Sequence, residues 1–441
     1  MKIVDFICIF VGLKNSTRSF IISMSAHFIY FVVIFILVAD FGLERSLAYL
    51  NIKHSKLKLP DILSDIYDAE NYARQQNYFR TNTRFGFVTA TFGFIVILLI
   101  YIPGGFGWLD SELTTFIEAD ILRSLAFFAI LFIANDLINI PFEWYDTFVI
   151  EERFGFNKVT PGLFVLDKLK SYLLAAIIGG GLLVLVIWIY NLTPQFFWLI
   201  AWAVMTIFGL FMSMFYSEII VPLFNKQTPL PEGELRDKIE TFAGSVHFKL
   251  TNIYVIDWSK RSTKANAYFT GFGPKKRIVL YDTLLDKLTA DEIVAVLAHE
   301  VGHYKHKHTI KNILISLPSS LLLFFLLGIM LSSDALAQAF GGVSANFHLN
   351  ILAFGIIYSP VSLALGLISN HLSRRYEYQA DSFTATHGLG DVLISGLKKL
   401  SSSSLSNLTP HPLYVFFHYS HPTIYQRILN IKSSIKHEVT E

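Results

Sequence analysis

The chain has 441 residues, of which 53% are hydrophobic and only 16% are charged, and its formal net charge is +2. Soluble globular proteins carry about a quarter charged residues, so this composition, with a mean hydropathy of +0.48, excludes an ordinary soluble domain. The net charge says little about nucleic acid, but the sequence shows no basic patch with interleaved aromatic residues, so nucleic acid is not an expected partner. Cys8 is the only cysteine, which excludes an intrachain disulfide and a thiolate metal site.

Seven apolar stretches approach or reach the length of about 20 residues that a bilayer-spanning helix needs. They cover residues 28–43, 85–102, 121–140, 172–190, 196–216, 313–331 and 349–368. Three of their ionisable residues, Asp40, Arg123 and Asp136, are expected to face the protein interior or water and are hints of function. For Asp136, a hydrogen bond between helices is an equally good explanation.

Basic residues alternate between the loops. The first, third and fifth connections and the C-terminal tail are rich in Lys and Arg, whereas residues 103–120 and 334–348 contain neither. The positive-inside rule then predicts that the odd loops and the C-terminus are cytoplasmic. This topology puts the N-terminus outside despite its basic residues, unless residues 3–13 form a short interfacial segment. Asp5 interrupts that segment and no small-residue cleavage site follows it, which argues against a signal peptide.

The stretch 226–308 has the patterning of a soluble segment. It predicts a helix, three short strands and a second helix, at residues 231–246, 253–256, 266–270, 278–281 and 291–308. Thr289 is a candidate N-cap of the second helix, with Glu292 in the capping-box position. A segment of this size is small for an independent domain, so we expect it to pack on the membrane helices and to share its site with them.

The chain thus divides into four regions. They are a membrane region with five spans, a polar segment that carries the predicted strands, two further spans and a C-terminal segment, at residues 1–220, 221–308, 309–372 and 373–441.

The second predicted helix of the soluble segment contains the pentapeptide His-Glu-Val-Gly-His. His299 and His303 are one helical turn apart and face the same way, so two imidazoles can bind one zinc ion. Glu300 is placed to hold a water molecule against that metal. The alternative is a buried helix with two incidental histidines, and the metal site is the better-supported interpretation.

A catalytic zinc takes three protein ligands and keeps one position for water. The candidates for the third ligand are Glu377, Asp381, His371, His387, His411, His418 and His421. Glu377 fits best, because Asp381 lies on the same helix face one turn later. One carboxylate can bind zinc while the other accepts the ring N–H of a ligating imidazole. The alternative is a surface helix with Arg–Glu pairs. His306 and His308 are predicted to be solvated surface groups.

Other residues are candidates for substrate contact. Asn266, Ala267 and Tyr268 lie on a predicted strand whose edge can pair with a substrate backbone, although an ordinary sheet strand explains them equally well. Arg374 and Arg427 can order the site or bind a substrate carboxylate. Charge pairing within the protein is the commoner role for such residues.

The pentapeptide at residues 299–303, followed by Glu-Tyr-Gln-Ala-Asp at residues 377–381, resembles the type 1 CAAX prenyl proteases. These are integral-membrane zinc endopeptidases that process farnesylated precursors. Residues 148–170, 222–226, 264–285 and 411–428 are similar to the same family. The similarity covers nearly the whole chain after about residue 30, and the first 25 or so residues have no recognised counterpart. Bacterial heat-shock membrane proteases share the zinc motif but are shorter and lack the EERFGFN-type loop.

The resemblance implies a mainly α fold, a multi-pass helical barrel or bundle of about seven spans with a zincin-like (gluzincin) portion that carries a small β-sheet. It implies one zinc ion per chain, bound by His299, His303 and Glu377, with Asp381 behind the ligands. Glu300 is then the general base.

The resemblance also implies that His421 donates to the oxyanion, with a structural histidine before Pro422 as the alternative. The expected activity is removal of the C-terminal tripeptide after a prenylated cysteine, by a monomer in the lipid bilayer. Its catalytic loops would face the cytoplasm, from the endoplasmic reticulum membrane of a eukaryote or the inner membrane of a bacterium. The alternatives are a quality-control zinc protease without a prenyl requirement, a scaffold with a vestigial metal site and a transporter.

Overall fold

The computed structural model describes residues 25–55, 58–248, 253–270 and 277–440. The predicted interfacial segment at residues 3–13 and Cys8 lie outside these ranges. Within them, seven helical stretches are long and apolar enough to cross a membrane: Ala26–His54, Ala69–Tyr101, Asp120–Glu151, Pro161–Leu192, Phe197–Phe224, His308–Met330 and Phe347–Ser403. Each coincides with one of the seven apolar stretches, so the predicted spans are confirmed.

In the described part of the first half of the chain, the regular structure is helical except for an isolated β-bridge between Asn157 and Ser262. Its helices are α1 (Ala26–His54), α2 (Ala69–Tyr101), α3 (Gly105–Phe116), α4 (Asp120–Tyr145), α5 (Pro161–Leu174), α6 (Gly181–Leu192), α7 (Phe197–Ile219) and α8 (Val221–Phe224). Side chains of Ser25, Asp68 and Thr160 accept a backbone N–H at the starts of α1, α2 and α5. A π-helical turn, Ala175–Gly180, joins α5 to α6, so the glycines at its end do not break this span.

The second half contains the sheet and the remaining helices. In chain order these are β1 (Gln227–Pro229), α9 (Glu234–Ser245), β2 (Ile253–Ile256), β3 (Ala267–Thr270), β4 (Arg277–Tyr281), α10 (Asp282–Leu285), α11 (Ala290–Lys305), α12 (His308–Met330), α13 (Asp334–Ala339), α14 (Phe347–Thr384), α15 (Gly390–Ser403), α16 (Pro412–His418) and α17 (Ile424–Thr440).

The predicted strands and helices of the soluble segment agree with β2, β3, β4, α9 and α11 to within a few residues. Two details differ. The short strand β1 contains Pro229 and is too brief to show a strand periodicity. The helix predicted at residues 291–308 ends at Lys305, because Lys307 adopts a left-handed backbone conformation with φ of 57° and α12 starts at His308.

The four strands form one mixed sheet in the order β1-β2-β4-β3. β2 and β4 are parallel, and the two other pairings are antiparallel. α9 and α11 cover the sheet through a shared apolar core that includes Ile239, Ile278, Leu280, Leu284 and Leu297. Within the described residues, β3 pairs on one side only, which leaves an open sheet edge.

The seven spans close into a ring. α1 contacts α2, and Phe85 and Phe92 of α2 lie against Phe142 of α4. α4 contacts α6, α6 contacts α7, and α7 contacts α12. α12 contacts α14, which returns to α1 and completes the ring. This order of neighbours agrees with the predicted barrel of membrane helices.

Asp136 and Asp40, two of the ionisable residues expected in the spans, both have hydrogen-bonding partners. Lys168 Nζ lies 2.7 Å from Asp136 Oδ1, and Tyr172 also donates to this carboxylate, so Asp136 links α4 to α5. Ser359 Oγ of α14 donates to Asp40 Oδ2 of α1 over 2.7 Å. For Asp136, the geometry is that of the predicted hydrogen bond between helices.

A buried polar cluster joins α14 to α3 and α4 at one end of the ring. His348 Nε2 donates to Asp110 Oδ1 over 2.8 Å, and Ser124 Oγ lies 3.0 Å from His348 Nδ1. Next to this cluster the N–H of Gly107 donates to the carbonyl of Phe340, and two chain segments meet with no room for side chains.

We expect Gly107→Ala to destabilise the protein. A Cβ atom at this position would lie 2.0 Å from the carbonyl carbon of Gly341, so the two segments would have to separate. Overpacking costs about 1–3 kcal/mol or more, and for a chain of 441 residues we expect the unfolding temperature of the detergent-purified protein to fall by about 1–3 °C or more. Gly93→Ala is the control, because nothing lies within 4 Å of its Cβ position. Equal melting of the two variants would contradict this view of the contact.

Candidate metal centre and active site

α11 begins with the predicted capping box. Thr289 Oγ1 accepts the N–H of Glu292 over 3.3 Å, and Glu292 Oε2 accepts the N–H of Thr289 over 2.9 Å. Lys399 and Ser395 of α15 also donate to the buried Glu292 carboxylate. Burial raises the pKa of Glu292, but these hydrogen bonds outweigh it and lower the pKa overall. The start of α11 is therefore anchored by a charged carboxylate.

About two turns after Glu292, three ligand-type side chains converge at α11. The Nε2 atoms of His299 and His303 are 3.2 Å apart. Glu377 of α14 lies between them, with Oε2 at 3.3 Å from His299 Nε2 and Oε1 at 3.2 Å from His303 Nε2. All three residues offer a donor atom within 4.8 Å of the others.

These distances fit a tetrahedral zinc ion. Ligand atoms about 2.0–2.1 Å from a tetrahedral metal lie about 3.3 Å from one another. Glu377 is only 4% exposed, and its Oε2 atom receives no hydrogen bond of good geometry. A buried carboxylate oxygen without a donor is costly, and a cation would satisfy it. Two imidazoles and a carboxylate are also the donor set of zinc peptidases.

The convergence depends on a close approach of α11 to α14. A Cβ atom at Gly302 would lie 3.0 Å from Ala380 Cα and 3.2 Å from both Ala380 O and Phe383 Cβ. Gly302 and Ala380 therefore let the two backbones approach closely. As a result, Glu377 reaches both rings of α11.

Behind His299 lies a buried charged pair. His299 Nδ1 is 2.9 Å from Asp381 Oδ1, and Arg427 of α17 holds the same carboxylate through Nη2 at 2.6 Å and Nε at 2.9 Å. Burial and the Arg427 charge lower the pKa of His299, but hydrogen bonds to Asp381 and Glu377 outweigh them and raise it to about 9. A metal ion would displace the proton that His299 otherwise holds at neutral pH.

Asp381 and Glu377 stabilise the positive charge of Arg427. Burial lowers the pKa of the guanidinium, whereas the charge and hydrogen bonds of Asp381 and the charge of Glu377 raise it overall. The two hydrogen bonds to Asp381 match the charge pairing that sequence reasoning gave as the commoner role. Arg374 donates instead to the carbonyls of Tyr419, at 2.6 Å, and Val415, at 3.4 Å. It thereby ties α14 to α16.

The prediction that His308 is a solvated surface group is wrong. His308 is 2% exposed, and its Nδ1 atom lies 3.0 Å from Nδ1 of His303. Its Nε2 atom lies 2.8 Å from Oε1 of Gln379. The error follows from the helix break at Lys307, which turns His308 back toward His303. His306 is exposed, as predicted.

Glu300 and His421 line the cleft that the three ligand-type residues also line, with a volume of about 430 Å³. The His421 side chain is 62% exposed, and its Nε2 atom lies 3.3 Å from Glu377 Oε1. Ser420 Oγ lies 2.9 Å from its other ring nitrogen. A half-buried carboxylate and an exposed imidazole therefore flank the candidate metal position.

The predicted substrate-contact strand borders the same cleft. Asn266, Ala267 and Phe269 line it, whereas the Tyr268 hydroxyl lies 3.2 Å from Ser217 Oγ of α7. Successive side chains of a strand point to opposite faces, so Tyr268 faces away from the cleft.

Three of the remaining histidine candidates for the third ligand, His387, His411 and His418, have other partners. His387 Nδ1 lies 2.7 Å from the carbonyl of Phe383, and His411 accepts the N–H of Leu413 at the start of α16. His418 Nε2 lies 3.5 Å from a carboxylate oxygen of Glu44 in α1.

The chain matches two known protein-family models, one over each half. Residues 48–226 match the family model described as "CAAX prenyl protease N-terminal, five membrane helices", and residues 229–435 match the model of peptidase family M48. The two matches together cover six of the seven spans, and most of α1 lies before the first match.

Curated relatives match over most of their length. The human protein named CAAX prenyl protease 1 homolog is 33% identical, over 86% of this chain and 90% of its own. CAAX prenyl protease 1 of Saccharomyces cerevisiae is 34% identical, over 89% of this chain and 92% of its own. The crystal structure of S. mikatae Ste24p superposes with a TM-score of 0.86 at 32% identity, covering 91% of this chain and 99% of that one.

We expect Gly302→Ala to weaken metal binding. The added Cβ would push α11 and α14 apart by a few tenths of an ångström, and both imidazoles would move away from Glu377 together. Metal affinity should fall about tenfold or more, as measured by competition with a chelator. Gly244→Ala in α9, with nothing within 4 Å of its Cβ position, is the matched control and should bind metal normally. Normal binding by Gly302→Ala would show that the close approach is dispensable.

Proposed function

The chain belongs to the CAAX prenyl protease family of M48 membrane metallopeptidases, and on this basis we propose that it removes the C-terminal tripeptide from proteins that carry a prenylated cysteine. The observation that carries the proposal is the convergence of His299, His303, Glu377 and Glu300 in one cleft beside an open strand edge. The names of the relatives supply the substrate class.

We propose that His299, His303 and Glu377 bind one zinc ion per chain. When bound, zinc polarises the scissile carbonyl and lowers the pKa of its water toward neutrality. Asp381 accepts the Nδ1 proton of His299 and so keeps Nε2 free as a ligand. Arg427 neutralises Asp381, so this carboxylate supports the ligand without adding net negative charge.

Glu300 is the proposed general base. Its carboxylate accepts a proton from the water that attacks the scissile carbonyl carbon. It returns that proton to the leaving amine nitrogen as the C–N bond breaks, which balances the hydrolysis. A positioned acid–base group of this kind contributes about 10²–10⁴ in rate.

His421 is the proposed donor to the oxyanion. Its exposed ring faces the cleft, and its Nε2 atom already lies near Glu377, so a small rotation would direct the N–H toward a bound carbonyl. The contact between Ser420 Oγ and Nδ1 supports the orientation of the ring. Charge that develops on the oxygen in the transition state would then be stabilised.

The substrate backbone is proposed to pair with β3. Asn266 accepts the N–H of Tyr281 in β4, so the alternation of an antiparallel ladder turns the backbone groups of Ala267 and Phe269 toward the open edge. The N–H of Ala267 is held by Asn266 Oδ1 at 2.9 Å, an acceptor that a substrate carbonyl could replace. Strand addition would thereby align the peptide along the cleft.

The protein is a multi-pass integral membrane protein, and we propose that its site faces the cytoplasm. The basic loops and the C-terminal tail support this orientation. The membrane would be that of the endoplasmic reticulum in a eukaryote or the inner membrane in a bacterium. With all ligands contributed by one chain, a monomer is sufficient for activity.

Glu300→Gln should keep zinc and lose activity. The amide preserves the shape of the side chain but cannot accept the proton, so turnover should fall about 10²–10⁴-fold or more. His299→Ala is the contrasting variant, which should lose both metal and activity. Zinc content by elemental analysis and peptide turnover separate the two effects. Substantial turnover by Glu300→Gln would remove Glu300 as the base.

Cleavage of a farnesylated C-terminal peptide, compared with its unprenylated twin, tests the substrate class. We expect release of the tripeptide with a kcat/KM at least about tenfold higher for the farnesylated peptide, because burial of even two methylene groups contributes about 1.6 kcal/mol. Equal cleavage of the two peptides, together with cleavage of unfolded membrane proteins, would instead support the quality-control alternative.

A further inference from the structure

His303 has a hydrogen-bonding partner that differs in kind from the one behind His299. Its Nδ1 atom faces Nδ1 of His308 at 3.0 Å, and Nε2 of His308 faces Oε1 of Gln379 at 2.8 Å. His308 is 2% exposed, whereas Gln379 lies at the surface. The three side chains therefore form a chain of contacts from the candidate metal position to the surface.

The position of His308 requires an unusual backbone. Lys307 has φ of 57°, a conformation that residues other than glycine rarely adopt. This residue ends α11, so that α12 begins at His308 and the His308 ring contacts the His303 ring. The Tyr376 ring stacks on His308 at 4.2 Å between centroids, with 14° between the ring planes. The stacking and the hydrogen bonds thus fix the position of the His308 imidazole, and the backbone of Lys307 is strained as a result.

The direction of the hydrogen bonds among His303, His308 and Gln379 follows from the chemistry of the Gln379 amide at the surface end. Two ring nitrogens in contact share one proton, so one imidazole donates and the other accepts. The amide oxygen of Gln379 can only accept, which puts the proton of His308 on Nε2 and leaves its Nδ1 as an acceptor. His303 must then donate from Nδ1, and its Nε2 carries a free lone pair that points at His299 and Glu377.

We propose that His308 and Gln379 are positioning residues that hold His303 in the tautomer required of a metal ligand. The inference rests on the proposed zinc site and deepens it. A single stretch of α14 then carries Glu377 itself, Asp381, which accepts from His299, and Gln379, which acts on His303 through His308. The arm through His308 is uncharged, so it orients the ligand without reducing the positive charge of the metal centre.

The test compares four variants of the full-length protein in detergent. His308→Phe keeps the aromatic stack and removes the acceptor, Gln379→Leu removes the terminal acceptor, and Gln379→Glu keeps it. His306→Phe is the matched control, because His306 lies parallel to His308 at 5.4 Å but no hydrogen bond joins it to His303. The readouts are the zinc dissociation constant by chelator competition, zinc per chain, and KM at saturating zinc.

We expect His308→Phe to weaken zinc binding about 10- to 100-fold and Gln379→Leu about 3- to 10-fold. Gln379→Glu and His306→Phe should stay within about threefold of the unmodified chain. KM at saturating zinc should not change in Gln379→Leu, Gln379→Glu or His306→Phe, since neither Gln379 nor His306 lines the cleft.

The outcomes separate this inference from the proposed function. Absence of zinc binding by the unmodified chain would overturn both. Normal zinc binding by the chain together with equal affinities of Gln379→Leu and Gln379→Glu would overturn the inference alone. If His308→Phe does not fold, the Gln379 pair decides, because that side chain is at the surface and its replacement leaves the core intact.

Discussion

The site depends on the close contact between α11 and α14 at Gly302 and Ala380. Helices with ordinary side chains at their contact pack with axes about 8–10 Å apart, and a glycine facing an alanine allows the shorter distances in this range. His299 and His303 lie on the face of α11 that meets α14, one turn apart. Glu377 and Asp381 lie on the facing side of α14, also one turn apart. The contact therefore sets the distances between all the facing groups at the same time.

The buried negative charges at this contact explain why Arg427 and a cation are needed beside it. Two carboxylates, Glu377 and Asp381, are almost fully buried, and an uncompensated buried charge is very costly. Arg427 compensates Asp381 with two hydrogen bonds. Among the described residues, the charged or ligand-type neighbours of Glu377 are three imidazoles and Arg427, whose Nη1 atom lies 3.8 Å away. A divalent cation between the imidazoles would compensate the negative charge of Glu377. Because Arg427 already neutralises Asp381, Asp381 would not reduce the positive charge of the metal centre.

The features that sequence alone revealed are those set by local chemistry. Apolar length identified the spans, the Thr289 capping box located the start of α11, and the i, i+4 pair of carboxylates identified the relevant face of α14. The role of His308 was missed because a continuous helix would place it away from His303. The break at Lys307 has no signal in residue type, since a lysine seldom adopts a left-handed conformation. The closed ring of spans likewise depends on contacts between segments distant in sequence.

The length of α14 connects the membrane to the site. The helix has 38 residues, which corresponds to about 57 Å at 1.5 Å per residue, whereas the hydrocarbon core is about 30 Å thick. Its apolar stretch ends near residue 368, so Glu377 lies about 13 Å further along the axis, beyond the hydrocarbon. A substrate whose lipid stays at membrane depth and whose peptide extends outward would bring its peptide bonds to this level. One continuous helix thus sets the height of the proposed metal ligand above the bilayer and, through Gly302 and Ala380, its distance from the two histidines.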